Sequence, residues 1–207
     1  MKCFAPWHSI LVRFNGDIVP DGVYLKRYGN VLQSSLNDLL NSYTASYTRD
    51  SIRAGHLPPE CQQCALKEAS VGHSRRLFFK DILNPMLENT NYDYSKNFTD
   101  LYFLEFNMSN ICNLKCRMCD GINSSAWVKD DIKLSQNGNP YGRRINDPEF
   151  GYTNKSDQIV ARLFEDPTPF MNLRYLSIKG GEPYMEPANK LILKKFIDLG
   201  IAKNITI

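Results

Sequence analysis

Apolar residues in the second half of the chain are concentrated in two short runs, residues 101–106 and 173–179. Their aromatic and branched side chains favour β-strands. A helix-like segment follows the first run, and apolar positions at helical spacing follow the second from residue 188 until Gly200 stops the pattern. This repeated order of strand and helix predicts an α/β fold with parallel strands. A last apolar segment, residues 204–207, predicts a third strand.

The first part of the chain has a different pattern. Residues 10–14 and 17–19 predict two strands joined through Asn15-Gly16, a dipeptide typical of two-residue hairpin turns. A helix is predicted next, with Ser34 and Ser35 as candidate N-caps. The apolar positions of this predicted helix are Leu36, Leu39, Leu40, Tyr43 and Tyr47.

Three cysteines, Cys112, Cys116 and Cys119, follow the run at 101–106 within one short loop. Three thiolates from one loop can hold three irons of a [4Fe–4S] cube, and the fourth iron is then left to bind a reactive group. Alternatively, the three cysteines are small apolar side chains on one face of a helix, or they form part of a zinc site. Zinc in a closed structural site has four ligands, and the neighbouring Asp120 is poorly placed to be one.

A second motif, Gly180-Gly181-Glu182-Pro183, follows the run at 173–179. Adjacent glycines at the carboxyl end of a strand let the backbone approach a ligand closely, and a carboxylate or carbonyl group there can accept hydrogen bonds from an ammonium group. Alone this is a common turn. In a βα-repeat, however, it lies at the same end of the sheet as the cysteine loop, so the two motifs together predict one site.

With both motifs, the chain resembles the radical SAM superfamily, in which a three-cysteine loop follows the first barrel strand and a Gly-Gly-Glu-Pro-like turn follows the second. The resemblance implies that S-adenosylmethionine binds the open iron through its amino and carboxylate groups, with Gly180, Gly181, Glu182 and Pro183 holding the amino group. One-electron cleavage would then give methionine and a 5′-deoxyadenosyl radical. The residue before the third cysteine is often aromatic in the superfamily; here Met118 stands there, an apolar side chain that can cover the adenine or the cluster.

The N-terminal part resembles the twitch domain, a shortened relative of the SPASM domain, on residues 3–7, 28–31, 58–64 and 68–76. The resemblance implies an auxiliary iron–sulfur cluster. Such domains usually have a cysteine where Asp21 stands, and an aspartate oxygen is a harder ligand than a thiolate and less suited to a cluster.

Three interpretations are open for the N-terminal cysteines Cys3, Cys61 and Cys64. The first is an auxiliary cluster completed by Asp21 or an exogenous ligand. The second is a zinc site, and the third is unligated thiols. A redox dithiol fits less well, because no thioredoxin-like βαβ pattern precedes Cys61. The candidate additional zinc ligands are Asp21, His8, His56 and His73.

These motifs predict a twitch or SPASM-like domain at residues 1–85, a linker at 86–98, and the N-terminal part of a radical SAM core at 99–207. Too few strands follow residue 99 for a complete barrel, so we expect a truncated βα barrel preceded by a small α+β domain. Residues 134–157, rich in Asn, Gly, Pro and Asp, predict a long surface insertion.

Composition supports a metalloprotein of the cytoplasm. Six cysteines in 207 residues are too few for a disulfide scaffold, and no signal region or long membrane stretch appears. The formal charge of +3, from 25 basic and 22 acidic residues, gives no electrostatic reason to expect nucleic acid or membrane binding. Arg75 and Arg76 are expected on a solvated helix face or in salt bridges.

The expected function is therefore that of a radical SAM enzyme acting on a peptide, protein or other substrate. Its cofactors would be a [4Fe–4S] cluster, S-adenosylmethionine, and an auxiliary cluster or zinc. A low-potential ferredoxin or flavodoxin is the expected electron donor. The alternative is a non-enzymatic iron–sulfur or zinc protein with a structural or electron-transfer role.

Overall fold

The computed structural model describes residues 3–24, 26–87, 100–137 and 155–207. Their strands form one five-stranded sheet in the order β3-β2-β1-β4-β5, in which β1 pairs antiparallel with β2 and parallel with β4. The predicted α/β class is confirmed. The strands are β1 Ser9–Arg13, β2 Asp17–Val19, β3 Gly29–Asn30, β4 Phe103–Asn107 and β5 Tyr175–Lys179.

The predicted hairpin is present at β1 and β2. The amide of Gly16 donates to the Arg13 carbonyl at 2.8 Å, and the φ of Gly16 is 87°, which a glycine adopts without strain. This hairpin belongs to the same sheet as the later strands, because Val12 of β1 is paired with Phe106 of β4. The division into domains stays a prediction, but its two parts share a sheet.

The parallel strands β4 and β5 end at the same edge of the sheet. Phe103 is in register with Tyr175, and Asn107 with Lys179. The loops that follow β4 and β5 therefore start side by side, as the βα-repeat pattern predicted.

Eight α-helices cover the sheet or connect its strands within the described ranges. They are α1 Ala5–His8, α2 Leu36–Leu40, α3 Tyr43–Arg53, α4 Gln62–Val71, α5 Arg75–Leu87, α6 Val128–Gln136, α7 Ser156–Leu163 and α8 Pro187–Asp198. Helix α5 passes through Pro85, so residues 84–87 are helical, whereas 88–98 of the predicted linker lie outside the described residues.

The single helix predicted from Ser35 to Tyr47 is wrong: the segment forms two helices. Ser35 caps α2 by accepting from the Asp38 amide at 3.1 Å, and Ser42 caps α3 by accepting from the Ala45 amide at 3.3 Å. The cap at Ser42 starts a new helix, so the helical spacing of the apolar residues is interrupted there. The Tyr43 side chain is 81% exposed instead of packed in the core.

The predicted insertion at 134–157 is only partly tested. Its two ends are helical, in α6 and in α7, and residues 138–154 lie outside the described residues. Helix α7 was not predicted; its Ile159, Val160 and Leu163 are buried in the core.

Alternate residues of β4 point to opposite faces of the sheet. Leu104 and Phe106 join the main apolar core with helices α7 and α8, whereas Phe103 packs with α5, its ring centroid 5.1 Å from that of Phe79. Glu105 lies between Leu104 and Phe106, and it faces the same side as Phe103.

The predicted third strand begins to pair at Thr206. Its carbonyl accepts from the Leu176 amide at 2.9 Å, and its own amide donates to the Arg174 carbonyl at 2.8 Å, which makes a parallel bridge with Tyr175. Among the described helices, none has the length and apolar character needed to cross a membrane.

Candidate metal and cofactor sites

The cysteine loop after β4 is held by the residues that precede α6. Ser125 Oγ accepts from the Cys112 amide at 3.1 Å and donates to the Cys112 carbonyl at 3.0 Å. Trp127 Nε1 donates to the Cys116 carbonyl at 3.1 Å, and the Cys119 amide donates to the same carbonyl at 3.0 Å. These bonds fix the backbone on which the thiols are carried.

The three thiols of this loop are near one another and reach solvent. Cys116 is exposed, and Cys112 and Cys119 are partly exposed. Slight desolvation, followed by the neighbouring Cys116, raises the pKa of Cys119. An amide donor also points at one sulfur, since the Leu114 N–H lies 3.4 Å from Cys112 Sγ.

Within the described part of the chain, no three His, Cys, Asp or Glu side chains are gathered closely enough to hold one metal ion. This matters more for zinc than for a cube. A zinc ion needs its ligands to converge on one point, whereas a [4Fe–4S] cube binds each cysteine at a separate iron.

The Gly-Gly-Glu-Pro turn after β5 docks directly on the start of the cysteine loop. The Gly181 amide donates to the Ser109 carbonyl at 3.0 Å, and the Glu182 amide donates to the Ile111 carbonyl at 2.7 Å. The structure therefore brings together the two motifs that the sequence placed at one edge of the sheet.

Both glycines are required by this docking. Gly180 has a φ of 105°, and a Cβ on it would come within 2.7 Å of Asn107 Oδ1. A Cβ on Gly181 would overlap the Ile111 carbonyl group. We expected these glycines to admit a ligand, but the close approach that the structure shows is to the loop backbone.

The other three predicted binding residues are Glu182, Pro183 and Met118. Glu182 caps the 3₁₀ turn Pro183–Met185, its Oε1 accepting from the Tyr184 amide at 3.3 Å. Met118 is 95% exposed, so its side chain packs on almost nothing in the described part of the chain.

The N-terminal cysteines meet in a second place. Cys3, Asp21, Cys61 and Cys64 line one cavity of about 20 Å³, although they are separated by up to 61 positions in the chain. Cys3 precedes α1, Asp21 follows β2, Cys61 ends the 3₁₀ turn Pro59–Cys61, and Cys64 lies in α4. Glu60 and Arg76 also line this cavity. Their position beside Cys61 and in the Arg75-Arg76 pair was the available sequence signal for them.

Asp21 lines this cavity, and its side chain also accepts hydrogen bonds from nearby backbone amides. Its Oδ1 accepts from the amides of Val23 at 2.7 Å and Tyr24 at 3.1 Å. Burial raises the pKa of the carboxyl group, and the Val23 amide and the Arg75 guanidinium oppose that effect. With Oδ1 so engaged, Oδ2 is the oxygen better suited to bind a metal.

Burial also raises the pKa of the thiols in this cavity. It raises the pKa of Cys61 to about 12, with Asp21 and Cys64 adding to the effect, and it raises the pKa of Cys3 and Cys64. The thiols are therefore protonated at neutral pH without metal. A metal or cluster must displace these protons, because the thiolate is the ligand.

The types of ligand fit an iron–sulfur cluster, because three thiols and a carboxylate line one cavity. A cavity of about 20 Å³ has room for roughly one water molecule, so a cube requires the walls to move apart. The histidines proposed for zinc do not line it. His56 and His73 are exposed. His8 is buried, its Nδ1 donates to the Asp100 carbonyl at 3.0 Å, and burial lowers its pKa to about 4.

A buried carboxylate that the sequence did not single out lies on β4, the strand that leads into the cysteine loop. Glu105 of β4 has a side chain only 4% exposed, and its Oε2 meets Arg75 Nη2 at 3.1 Å and Lys179 Nζ at 3.0 Å. The Arg75 guanidinium is 4.9 Å from the ring centroids of both Phe78 and Phe79. Arg76 pairs with Glu68, so both arginines are in salt bridges, as expected.

A comparison with known protein families gives a match for the N-terminal part. Residues 3–65 match the family model of SPASM, an iron–sulfur cluster-binding domain. This confirms the predicted resemblance to a SPASM or twitch domain of radical SAM proteins, and the matched segment contains Cys3, Asp21, Cys61 and Cys64. Neither the curated proteins nor the solved structures give a match to this chain.

Proposed function

We propose that this chain carries the cluster loop and the cofactor-binding turn of a radical SAM enzyme, with a SPASM-type auxiliary site. The enzyme would cleave S-adenosylmethionine reductively and use the resulting 5′-deoxyadenosyl radical to modify a peptide, protein or other substrate. The observation that carries the proposal is the docking of Gly181 and Glu182 on Ser109 and Ile111. It joins a three-thiol loop and a Gly-Gly-Glu-Pro turn in one piece of backbone.

Each part of this site has a distinct role in the proposal. Cys112, Cys116 and Cys119 would hold three irons of the cluster, and all three residues are at least partly exposed to solvent. The turn holds the amino group of the cofactor through backbone carbonyls and the Glu182 carboxylate, which accept hydrogen bonds from an ammonium group. When bound, the cluster would supply the one electron that reductive cleavage of the sulfonium requires.

The SPASM match supports iron–sulfur binding by residues 3–65. In the proposal, Cys3, Cys61 and Cys64 hold an auxiliary cluster, and Asp21 or an exogenous ligand completes it. This cluster transfers electrons or binds substrate. A low-potential ferredoxin or flavodoxin supplies the electrons for the first cluster.

Formation of 5′-deoxyadenosine tests the proposal. Full-length protein would be reconstituted without oxygen with iron and sulfide, then given dithionite and S-adenosylmethionine. The product is expected from the native protein and from the loop control Asn113→Ala, and Cys112→Ala should abolish it. Cys61→Ala should leave this uncoupled cleavage largely intact. Absence of the product from a protein with full iron content would contradict the proposal.

A second candidate is a zinc or structural iron–sulfur protein without radical chemistry. The small size of the N-terminal cavity, about 20 Å³, leaves more room for a single ion than for a cube, although three of its ligands would have to move closer together to bind zinc. Under this candidate, metal analysis gives zinc at Cys3, Cys61 and Cys64, and the native protein forms no 5′-deoxyadenosine.

A further inference from the structure

Arg76 is the only cationic residue among the described residues that line the N-terminal cavity. The same wall carries the three cysteine thiols and the carboxyl groups of Asp21 and Glu60. Glu60 Oε2 is buried and has no hydrogen-bond partner within the described ranges, and the Lys26 ammonium group lies 4.0 Å from the other oxygen, Oε1. Acidic groups therefore outnumber cations around this cavity.

The Arg76 side chain is fixed by a carboxylate that does not line the cavity. Its Nε donates to Glu68 Oε1 at 2.9 Å, and its Nη2 contacts Glu68 Oε2. Ser74, which is buried, donates from Oγ to the same Oε1 and accepts from the Leu77 amide at 3.1 Å. A two-pronged arginine–carboxylate contact fixes both the position and the orientation of the guanidinium. Since the Arg76 side chain is only 13% exposed, water screens its charge weakly.

The backbone of Arg76 also faces a thiol of the cavity. Its amide, in the first turn of α5, donates a hydrogen bond to Cys64 Sγ. The amide of Ala5, the first residue of α1, donates to Cys3 Sγ in the same way. Amide donors directed at sulfur stabilise the thiolate, which is the form that binds iron. Arg76 thus presents a backbone donor and a guanidinium to the same group of ligands.

The neighbouring arginine does not share this position. Arg75 meets Glu105 at 3.1 Å and does not line the cavity. An iron–sulfur cluster bound here would carry a net negative charge, because three thiolates and a carboxylate outweigh the positive charge of the iron–sulfur core. Among the described residues of the wall, Arg76 is therefore the group that can offset this charge.

We propose that the Arg76 guanidinium is the fixed charge partner of the auxiliary cluster, where it strengthens iron binding and raises the reduction potential, and that Glu68 limits both effects. The inference rests on the proposed function for the presence of the auxiliary cluster, and not for the radical chemistry. A positive charge beside a cluster favours the reduced form, which is more negative than the oxidised form. Arg76 and Glu68 therefore act in opposite directions, whereas a pair with only a structural role would act in one direction.

Redox titration of the auxiliary cluster tests this inference. The parent chain is the full chain with Cys112→Ala, Cys116→Ala and Cys119→Ala, which keeps only the N-terminal cysteines. It is reconstituted without oxygen with iron and sulfide and followed by electron paramagnetic resonance. Arg76→Gln should shift the midpoint potential to more negative values by about 59 mV, a tenfold change for one electron. It should also speed the loss of iron to a chelator about tenfold, as the loss of an outer partner of metal ligands typically does.

Glu68→Gln gives the opposite prediction. It should shift the potential to more positive values and should not speed the loss of iron, because it removes a negative charge beside Arg76. The glutamine keeps an oxygen acceptor for the guanidinium, so the sign of this shift decides by itself if Arg76→Gln loses its fold.

Two further variants separate charge from structure. Arg76→Lys keeps the positive charge and loses the two-pronged contact, so its potential should lie nearer the native value than that of Arg76→Gln. Lys194→Gln removes a positive charge from the exposed pair with Asp198 on α8 and should leave the potential unchanged. Thermal unfolding of each variant identifies a loss of fold. Shifts of the same sign in Arg76→Gln and Glu68→Gln, an equal shift in Lys194→Gln, or a parent chain that holds no iron overturns the inference.

These measurements are independent of the proposed radical chemistry, because they use a chain without the loop cysteines and no S-adenosylmethionine. Formation of 5′-deoxyadenosine by the native chain tests that chemistry separately. A native chain that forms the product, together with shifts of the same sign in the two variants, contradicts this inference alone. Opposite shifts, together with no product from an iron-loaded native chain, contradict the proposed function alone.

Discussion

The backbone amide of Glu182 donates to the carbonyl oxygen of Ile111 at 2.7 Å, one residue before the first cysteine of the loop. This bond makes the position of the turn depend on the position of the loop. A change in either segment is therefore transmitted to the other, and the proposed cofactor would contact both.

Gly181→Ala tests this dependence. The added Cβ would overlap the Ile111 carbonyl group, so the loop backbone must shift. We expect a loss of about 1–3 kcal/mol of stability, as overpacking typically gives, together with lower iron content at the cysteine loop and weaker S-adenosylmethionine binding. Iron analysis and equilibrium binding measure the two losses.

Gly22→Ala is the matched control, because its Cβ would meet Glu105 Oε1 at an ordinary 3.5 Å. It should keep iron and binding near native. Full iron content in Gly181→Ala, with cofactor binding alone weakened, would instead show that the glycine serves the ligand rather than the loop.

Glu105→Gln should destabilise the protein by about 1–3 kcal/mol, because it leaves Arg75 and Lys179 close together without their shared carboxylate. Lys179 is half exposed, which keeps the loss below that of a fully buried pair. Urea unfolding measures it. Glu165→Gln, which breaks the exposed pair with Arg162, should cost about 0.5 kcal/mol or less. Equal losses in the two variants would contradict a special role for Glu105.

Stability should fall at acidic pH through His8. Burial lowers its pKa from 6.5 to about 4, so the unfolded chain takes up a proton before the folded one does. The free energy of unfolding is not reduced by His8 above pH 6.5. It falls as the pH falls toward 4, by about 3 kcal/mol at most. Unfolding free energies at several pH values measure the slope, which His8→Phe should reduce and His56→Gln should not. An unchanged slope in His8→Phe would show that another group is responsible.

Metal loading at Cys3, Cys61 and Cys64 should strengthen as the pH rises. Burial raises the pKa of each thiol, so binding displaces protons that a higher pH removes more easily. Each displaced proton contributes about a tenfold gain in affinity per pH unit below the thiol pKa. Zinc titrations of the iron-free protein measure this gain, and Cys61→Ala should reduce the slope by about one proton. Affinity that does not change with pH would mean that these thiols are not the ligands.

The sequence predicted the parts that local pattern controls. The hairpin at Asn15-Gly16, the strands β4 and β5, and helix α8 follow from turn residues and apolar spacing. The meeting of Cys3 with Cys61 and Cys64 followed from the resemblance to a known domain, since spacing alone does not bring such distant residues together.

What the sequence missed depends on tertiary contacts. The cap at Ser42 divides a continuous helical pattern, and both caps look alike in sequence. Glu105 sits in an apolar strand, where nothing local shows that Arg75 and Lys179 will meet it. The close contact of Gly181 is with a segment 70 positions earlier, so its reason became visible only when the two loops were placed side by side.

Electron paramagnetic resonance of the reduced, reconstituted full-length protein tests the central claim most directly. We predict a [4Fe–4S] signal with a component that changes when S-adenosylmethionine is added. This component should disappear in Cys112→Ala and persist with the same response in Cys61→Ala. A signal that ignores the added cofactor, or a protein that holds zinc at Cys112, Cys116 and Cys119, would contradict it.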